Sequence, residues 1–117
     1  MTADEMAVRL NILGYTGPYG RLEPEESHYT YGGRCLLLRK GHPATGVFSV
    51  QIDAEVPDDG DNRVKLRYYP PKQPLNPNPD LMGPSAMFMI YDITEDYIDK
   101  IPEYEKLLIE TGEKMFK

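Results

Sequence analysis

A chain of 117 residues with one cysteine and no tryptophan is the size of a single domain and needs neither disulfides nor a structural metal to bury a core. Its 19 acids against 13 Lys and Arg leave a net charge of −6, which opposes direct binding of nucleic acid, since phosphate contacts need a basic footprint. No run approaches the 18 apolar residues of a membrane span, and "MTADEMAVRL" carries acids where a targeting segment carries Lys or Arg, so a cytoplasmic protein is expected.

The first element reads as a short amphipathic helix from Ala3 to Leu13. Thr2 and Glu5 have the spacing of a capping box and Gly14 offers a stop. Met6, Leu10 and Leu13 form its apolar stripe, widened by Val8 and Ile12. Tyr15 to Ser27 reads as a loop because of its glycines and prolines, and "HYTY" (28–31) as a short strand. "RCLLLRK" (34–40) follows as a largely buried strand, closed by the turn "GHPATG". Cys35 lies in that apolar run and reads as an inert, buried thiol in a reducing compartment.

The strongest local signal is strict alternation. Phe48, Val50, Ile52, Ala54 and Val56 interleave with Ser49, Gln51, Asp53 and Glu55, and Val64, Leu66 and Tyr68 with Arg63, Lys65, Arg67 and Tyr69. Period-two patterns of this length predict half-buried antiparallel strands. Pairing Glu55 with Arg63 sets Asp53 against Lys65 and Gln51 against Arg67, which makes the basic trio a neutralised sheet face. "PDDGDN" between them supplies turn residues. Asp58, Asp59, Asp61 and Asn62 are oxygen donors, but the glycine stands too early for a calcium-binding EF-hand loop, so a plain turn is expected.

Residues 70–85 carry a proline-rich loop; "YYPPKQPLNPNPDLMGP" (68–84) holds six of the eleven prolines. "AMFMIYDI" (86–93) then reads as a strand buried on both faces at the centre of the sheet. Thr94 is placed to cap a helix beginning "EDYIDK". Pro102 predicts a break near Ile101 and a second helix to Glu110 or beyond, with Tyr104, Leu107, Leu108, Thr111 and Met115 inward and Glu103, Lys106, Glu110 and Lys114 outward. The whole chain, 1–117, is thus expected to be one α+β domain of two layers. An antiparallel meander of four to five strands carries the N- and C-terminal helices on one face.

Tyr69-Pro70-Pro71-Lys72-Gln73-Pro74 resembles the YPxxxP signature of RWD domains, which follows the third strand of a helix-plus-four-strand fold. The resemblance implies a non-catalytic protein-interaction module. The related ubiquitin-conjugating enzymes place their catalytic cysteine after this region, where this chain has none. Fewer residues separate the motif from the next strand than in that family, and the later part does not align, so the likeness rests on the hexapeptide alone.

No catalytic, metal or nucleotide motif is complete, and no cofactor is implied. His28 and His42 are the only histidines and read as turn or surface residues. The nine tyrosines suit an interface as well as a small core. The expected function is therefore non-enzymatic, the binding of a protein partner with a basic surface, as by an inhibitor or immunity-type protein (a phage-encoded one, for example) seated on a larger enzyme. The expected contact residues are Tyr69, Lys72, Gln73, Leu75, Asn76, Asn78, Asp80 and Tyr19. The alternatives are a small enzyme or small-molecule binder using His42 or His28 with nearby Tyr and Asp, and a chaperone or structural subunit of a larger assembly. Homodimerisation through an open sheet edge is compatible with each.

Overall fold

Helix α1 runs from Ala3 to Ile12 and begins with the capping box. Thr2 accepts from the Glu5 amide at 3.2 Å, while the Glu5 carboxylate accepts from the Thr2 amide at 3.3 Å, satisfying two backbone donors that a helix start otherwise leaves open. The structure is a computed structural model that describes residues 1–28, 32–42, 45–57, 62–70 and 89–115, the last run without the side chains of 89–92 and 112–115. Its strands are β1 (Glu25–Ser27), β2 (Arg34–His42), β3 (Gly46–Ala54), β4 (Arg63–Tyr69) and β5 (Met89–Thr94); a 3-10 helix (Glu95–Lys100) then leads into α2 (Ile101–Met115).

The five strands form one antiparallel sheet in the order β1-β2-β3-β4-β5. Leu36 and Leu38, Phe48, Val50, Ile52 and Ala54, Val64, Leu66 and Tyr68, and Ile93 share its inner face. They pack with Ala3, Met6, Ala7 and Leu10 of α1, with Tyr15, and with Ile98, Ile101 and Leu108 on the C-terminal side. The domain is α+β, a sheet with both terminal helices on one face.

Several expectations change in detail. The sheet begins earlier than "HYTY": Glu25–Ser27 pairs with Cys35–Leu37, and Thr16 bridges Arg39 farther along the same edge. Residues 29–31 lie outside the described residues. Residues 86–88 of the expected last strand also lie outside them. Among the described residues strand β5 pairs only with β4 and lies at the edge of the sheet. A meander puts its last strand there whatever its composition, and an apolar run does not by itself specify a central position. The segment after Thr94 is a 3-10 helix, and Thr94 makes no side-chain cap.

The β3–β4 register is two residues from the expected one. Asp53 faces Arg63 and Gln51 faces Lys65, because β3 ends at Ala54 and Glu55 turns away with φ 57°. The Glu55 amide donates to Asn62 Oδ1 at 3.2 Å, across the connection. A two-residue shift keeps every side chain on its face. The expected partners therefore still meet, diagonally: Lys65 Nζ lies 3.5 Å from Asp53 Oδ2, and Arg67 donates to Gln51 Oε1.

The helical stripes are narrower than the patterns suggest. Val8 is 59 % and Ile12 80 % exposed, since Ala3, Met6, Ala7 and Leu10 already cover the sheet contact. Among the described side chains of α2 the inward positions are Ile101 and Leu108, with Tyr104 and Ile109 packed beside them, while Leu107 is 47 % exposed; the side chains of Lys114 and Met115 lie outside the described residues. Ile98 enters the core from the 3-10 segment, where a turn of about three residues carries it out of phase with α2. Thr111 spends its hydroxyl on the Leu107 carbonyl at 2.7 Å.

Candidate interaction surfaces

Of the expected contact residues, Lys72, Gln73, Leu75, Asn76, Asn78 and Asp80 lie outside the described residues. Tyr69 ends β4 on the face turned away from the helices, opposite Val47 and half-buried. Tyr19 sits in a short 3-10 turn, Pro18–Gly20, beyond the β1 edge of the sheet, with β2 and β3 between it and β4. It is 99 % exposed and has φ 59°, a left-handed conformation that a tyrosine adopts at a cost of about 1–2 kcal/mol.

The outer sheet face carries Arg39, Arg63, Lys65 and Arg67, and much of that charge is engaged. Arg39 pairs with Glu25 at 2.9 Å. Gln51 accepts from Arg67 and donates to Asp53 at 2.9 Å, so that Asp53, only 6 % exposed, is held between Gln51 and Lys65. Cys35 lies opposite Asp53 on the neighbouring strand. Burial, and then the Asp53 carboxylate, push its thiol up to about 11, which keeps it protonated and unreactive near neutrality. At the sheet's end Arg34 ties β2 to Asp4 of α1 and to Glu26, both at 3.0 Å.

The helical layer has the opposite character. Asp96, Asp99, Glu103 and Glu110 lie exposed along the 3-10 segment and α2, with Tyr97 and Leu107 each 47 % exposed among them. Two bases stand on this ridge, Lys100 over the Tyr97 ring at 5.9 Å and Lys106. Asp99 also meets Arg9 of α1 at 3.0 Å. The ridge is thus predominantly acidic, with Tyr97 and Leu107 half-exposed on it and Lys100 and Lys106 interspersed.

A groove lies on the other side of α1. Asp4, Ala7, Val8, Asn11 and Ile12 form one wall, at the spacing of a single helix face, and Leu22, Glu23 and Pro24 form the other; it is a shallow groove, open to solvent, of about 520 Å³. Leu22 is 66 % exposed. The far wall is fixed by a tight loop in which the Gly17 amide donates to the Arg21 carbonyl at 2.8 Å and Arg21 donates to Pro18 at 3.2 Å. Gly17 passes so close to the Glu23 carbonyl that a β-carbon would lie 1.7 Å from its oxygen. In sequence, Val8 and Ile12 read as part of the apolar stripe of α1 and Leu22 falls in a loop; the path of the 17–24 loop brings them together.

His28 is exposed after β1, and His42 ends β2 opposite Gly46; among the described residues no group of three His, Cys, Asp or Glu is placed to hold a metal. Asn62, a candidate calcium donor by sequence, is committed elsewhere. Its amide nitrogen donates to the Met1 carbonyl at 2.7 Å and to Glu95 Oε2 at 2.8 Å, with its oxygen held by Glu55. This clamp, together with the Met1 ammonium 3.1 Å from Glu95, holds the Glu95 carboxyl below the usual carboxylate range, the Asn62 hydrogen bond contributing most.

One buried polar contact is incomplete. Tyr15 is fully buried, its ring 5.7 Å from Phe48. Its hydroxyl and Glu105 Oε1 are both buried without a hydrogen-bond partner. Lys40 lies 3.5 Å from the other Glu105 oxygen and 5.7 Å above the Tyr15 ring. Burial first, and then Glu105, drive the tyrosine's ionisation well above its ordinary range, so Tyr15 is a core residue and not an acid–base group at any ordinary pH.

Among the described residues no helix is long and apolar enough to cross a membrane. No protein-family profile, curated protein or solved structure matches the chain.

Proposed function

We propose that this chain acts by binding another protein and that it is not an enzyme. The acidic ridge of the 3-10 segment and α2 faces a basic surface of the partner. The observation that carries this reading is the segregation of charge. Asp96, Glu103 and Glu110 are exposed around half-exposed Tyr97 and Leu107, while bases of the sheet are engaged by Glu25, Gln51 and Asp53. A surface with an excess of one sign steers an oppositely charged partner and helps to fix its orientation. Aromatic and aliphatic side chains within it supply the apolar contact that charge alone does not.

Occupying a basic active site or substrate channel of a larger enzyme is the role that suits such a surface, and it makes the chain an inhibitor. Tyr69, with the 70–85 segment, is proposed as a second contact region; Tyr19 lies apart from Tyr69, across β2 and β3. The triple charge reversal Asp96→Lys, Glu103→Lys, Glu110→Lys tests the reading. All three side chains are exposed, so the variant keeps its fold and loses capture of the partner at moderate salt. Undiminished capture excludes the ridge as the binding surface.

A further inference from the structure

We propose that the groove between α1 and the Leu22–Pro24 segment seats a basic amphipathic helix from a partner protein. Three large apolar side chains line it at high exposure, Val8 at 59 %, Ile12 at 80 % and Leu22 at 66 %. Their grouping in one groove sets them apart from the singly scattered apolar residues of an ordinary surface. The volume of about 520 Å³ is enough to take a few anchoring side chains. No set of convergent polar groups is present to orient a small molecule: the Asn11 amide is already spent on the Tyr15 carbonyl at 2.9 Å.

The shape selects a helix. Val8 and Ile12 stand four residues apart on α1, forming a ridge along the helix axis into which a second helix interdigitates. The α1 backbone is internally bonded and Pro24 has no N–H, so the walls give little to an extended peptide. A helical occupant brings its own backbone hydrogen bonds. The α1 wall is ten residues long, about 15 Å, which matches two to three turns of a partner helix.

Charge selects a basic one. Asp4 and Glu23 stand in the two walls, and the Asp4 side chain remains 75 % exposed even while bonded to Arg34. Arg21 is adjacent in sequence but does not line the groove. Lys or Arg flanking the apolar anchors meets these carboxylates. A second copy of this chain would instead set the same acids against themselves in a two-fold contact, on a patch far smaller than the roughly 1,600 Å² of a standard interface. The groove is also pre-formed, because the Gly17–Glu23 approach fixes the far wall before any partner arrives, and pre-organisation lowers the entropic cost of binding. The proposal rests on the reading above only for the charge of the partner; the groove is a separate surface from the α2 ridge.

The probe is a synthetic helical peptide of about fourteen residues, with Leu at i, i+4 and i+7 and Lys on its flanks, titrated into the full chain and followed by amide chemical shifts and fluorescence anisotropy. Two controls carry the same Leu positions with Glu for Lys, and the same composition with Leu scrambled. The expected result is a shift pattern centred on Val8, Ile12 and Leu22, with the Glu and scrambled peptides weaker by about tenfold or more. Ile12→Glu and, independently, Leu22→Glu abolish binding of the Lys peptide without moving the melting temperature. Equal binding of the scrambled peptide, or shifts confined to Asp96–Glu110, overturns the groove while leaving the acidic ridge intact. Equal binding of the Lys and Glu peptides overturns the basic partner. A dimer in sedimentation that Ile12→Glu dissociates assigns the groove to a second copy and overturns the proposal.

Discussion

Replacing Gly17 with alanine puts a methyl group where a backbone already lies. The added β-carbon would sit 1.7 Å from the Glu23 carbonyl oxygen and 2.8 Å from its carbon, and neither atom belongs to a side chain able to rotate away. The loop must open, breaking the 2.8 Å bond from the Gly17 amide to Arg21 and straining the 3.2 Å bond from Arg21 to Pro18. Overpacking of this kind costs about 1–3 kcal/mol, and the lost backbone bond about 1 kcal/mol, so a loss of roughly 2–4 kcal/mol is expected. For 117 residues about 4 °C of melting temperature corresponds to each kcal/mol, giving a fall of roughly 8–16 °C by calorimetry. Gly20→Ala is the internal control. It lies in the same loop with φ +74° and nothing within 4 Å of a β-carbon, so only the left-handed backbone penalty applies, partly offset by the lost flexibility of the unfolded chain. A drop of no more than about 4 °C is expected there. If Gly17→Ala melts within 2 °C of the parent chain, or if Gly20→Ala is the more damaging change, the close approach does not fix the groove wall and the reasoning fails.

Tyr15→Phe removes a buried hydroxyl that has no partner and is expected to be neutral or to stabilise by up to about 1 kcal/mol in urea denaturation, whereas Tyr15→Ala costs about 3–5 kcal/mol; a loss above 1 kcal/mol for the phenylalanine variant would show that the hydroxyl is bonded. Glu95 has its folded carboxyl pKa depressed by Asn62 and the N-terminus, so its stabilising contribution is complete above the unfolded carboxylate pKa and is lost as pH falls through the folded one. Glu95→Gln is therefore less stable than the parent chain at pH 7, with the gap closing in acid; a gap constant from pH 7 to pH 2 contradicts the clamp. His28→Ala with His42→Ala leaves partner capture unchanged, and loss of capture would favour chemistry centred on the histidines.

Strands β3 and β4 were legible because alternation reports burial directly, whereas β1, Glu25–Ser27, has no apolar pattern and reads as loop. Arg63–Tyr69 is observed with the limits its pattern indicates, and the Thr2–Glu5 capping box is formed as its spacing requires. What the pattern does not carry is position within the sheet and the length of connections. The apolar run ending in Ile93 reads as central but lies at the edge. The β3–β4 register depends on how Glu55 and Asn62 close the connection, a contact between residues seven apart. The groove was illegible for a related reason. Val8 and Ile12 sit at helical spacing from one another, yet the sheet has room only for the stripe of Met6 and Leu10, and Leu22 reaches them through a loop whose path depends on Gly17. The acidic ridge was legible in part, since Glu103, Lys106 and Glu110 are outward as expected; the exposure of Leu107 and Tyr97 among them was not, because helix periodicity alone assigns Leu107 to the core.

The measurement that bears most directly on the central claim is affinity capture by the full chain from a lysate of its source, with the retained protein identified by mass spectrometry and its affinity followed as salt is raised. The account predicts one stoichiometric protein with a basic surface, bound more weakly at each step because exposed charge is screened within a Debye length, and bound poorly at any salt by the Asp96→Lys, Glu103→Lys, Glu110→Lys variant. A partner whose affinity is indifferent to salt and to the variant, or the absence of any stoichiometric partner, contradicts an acidic protein that works by binding.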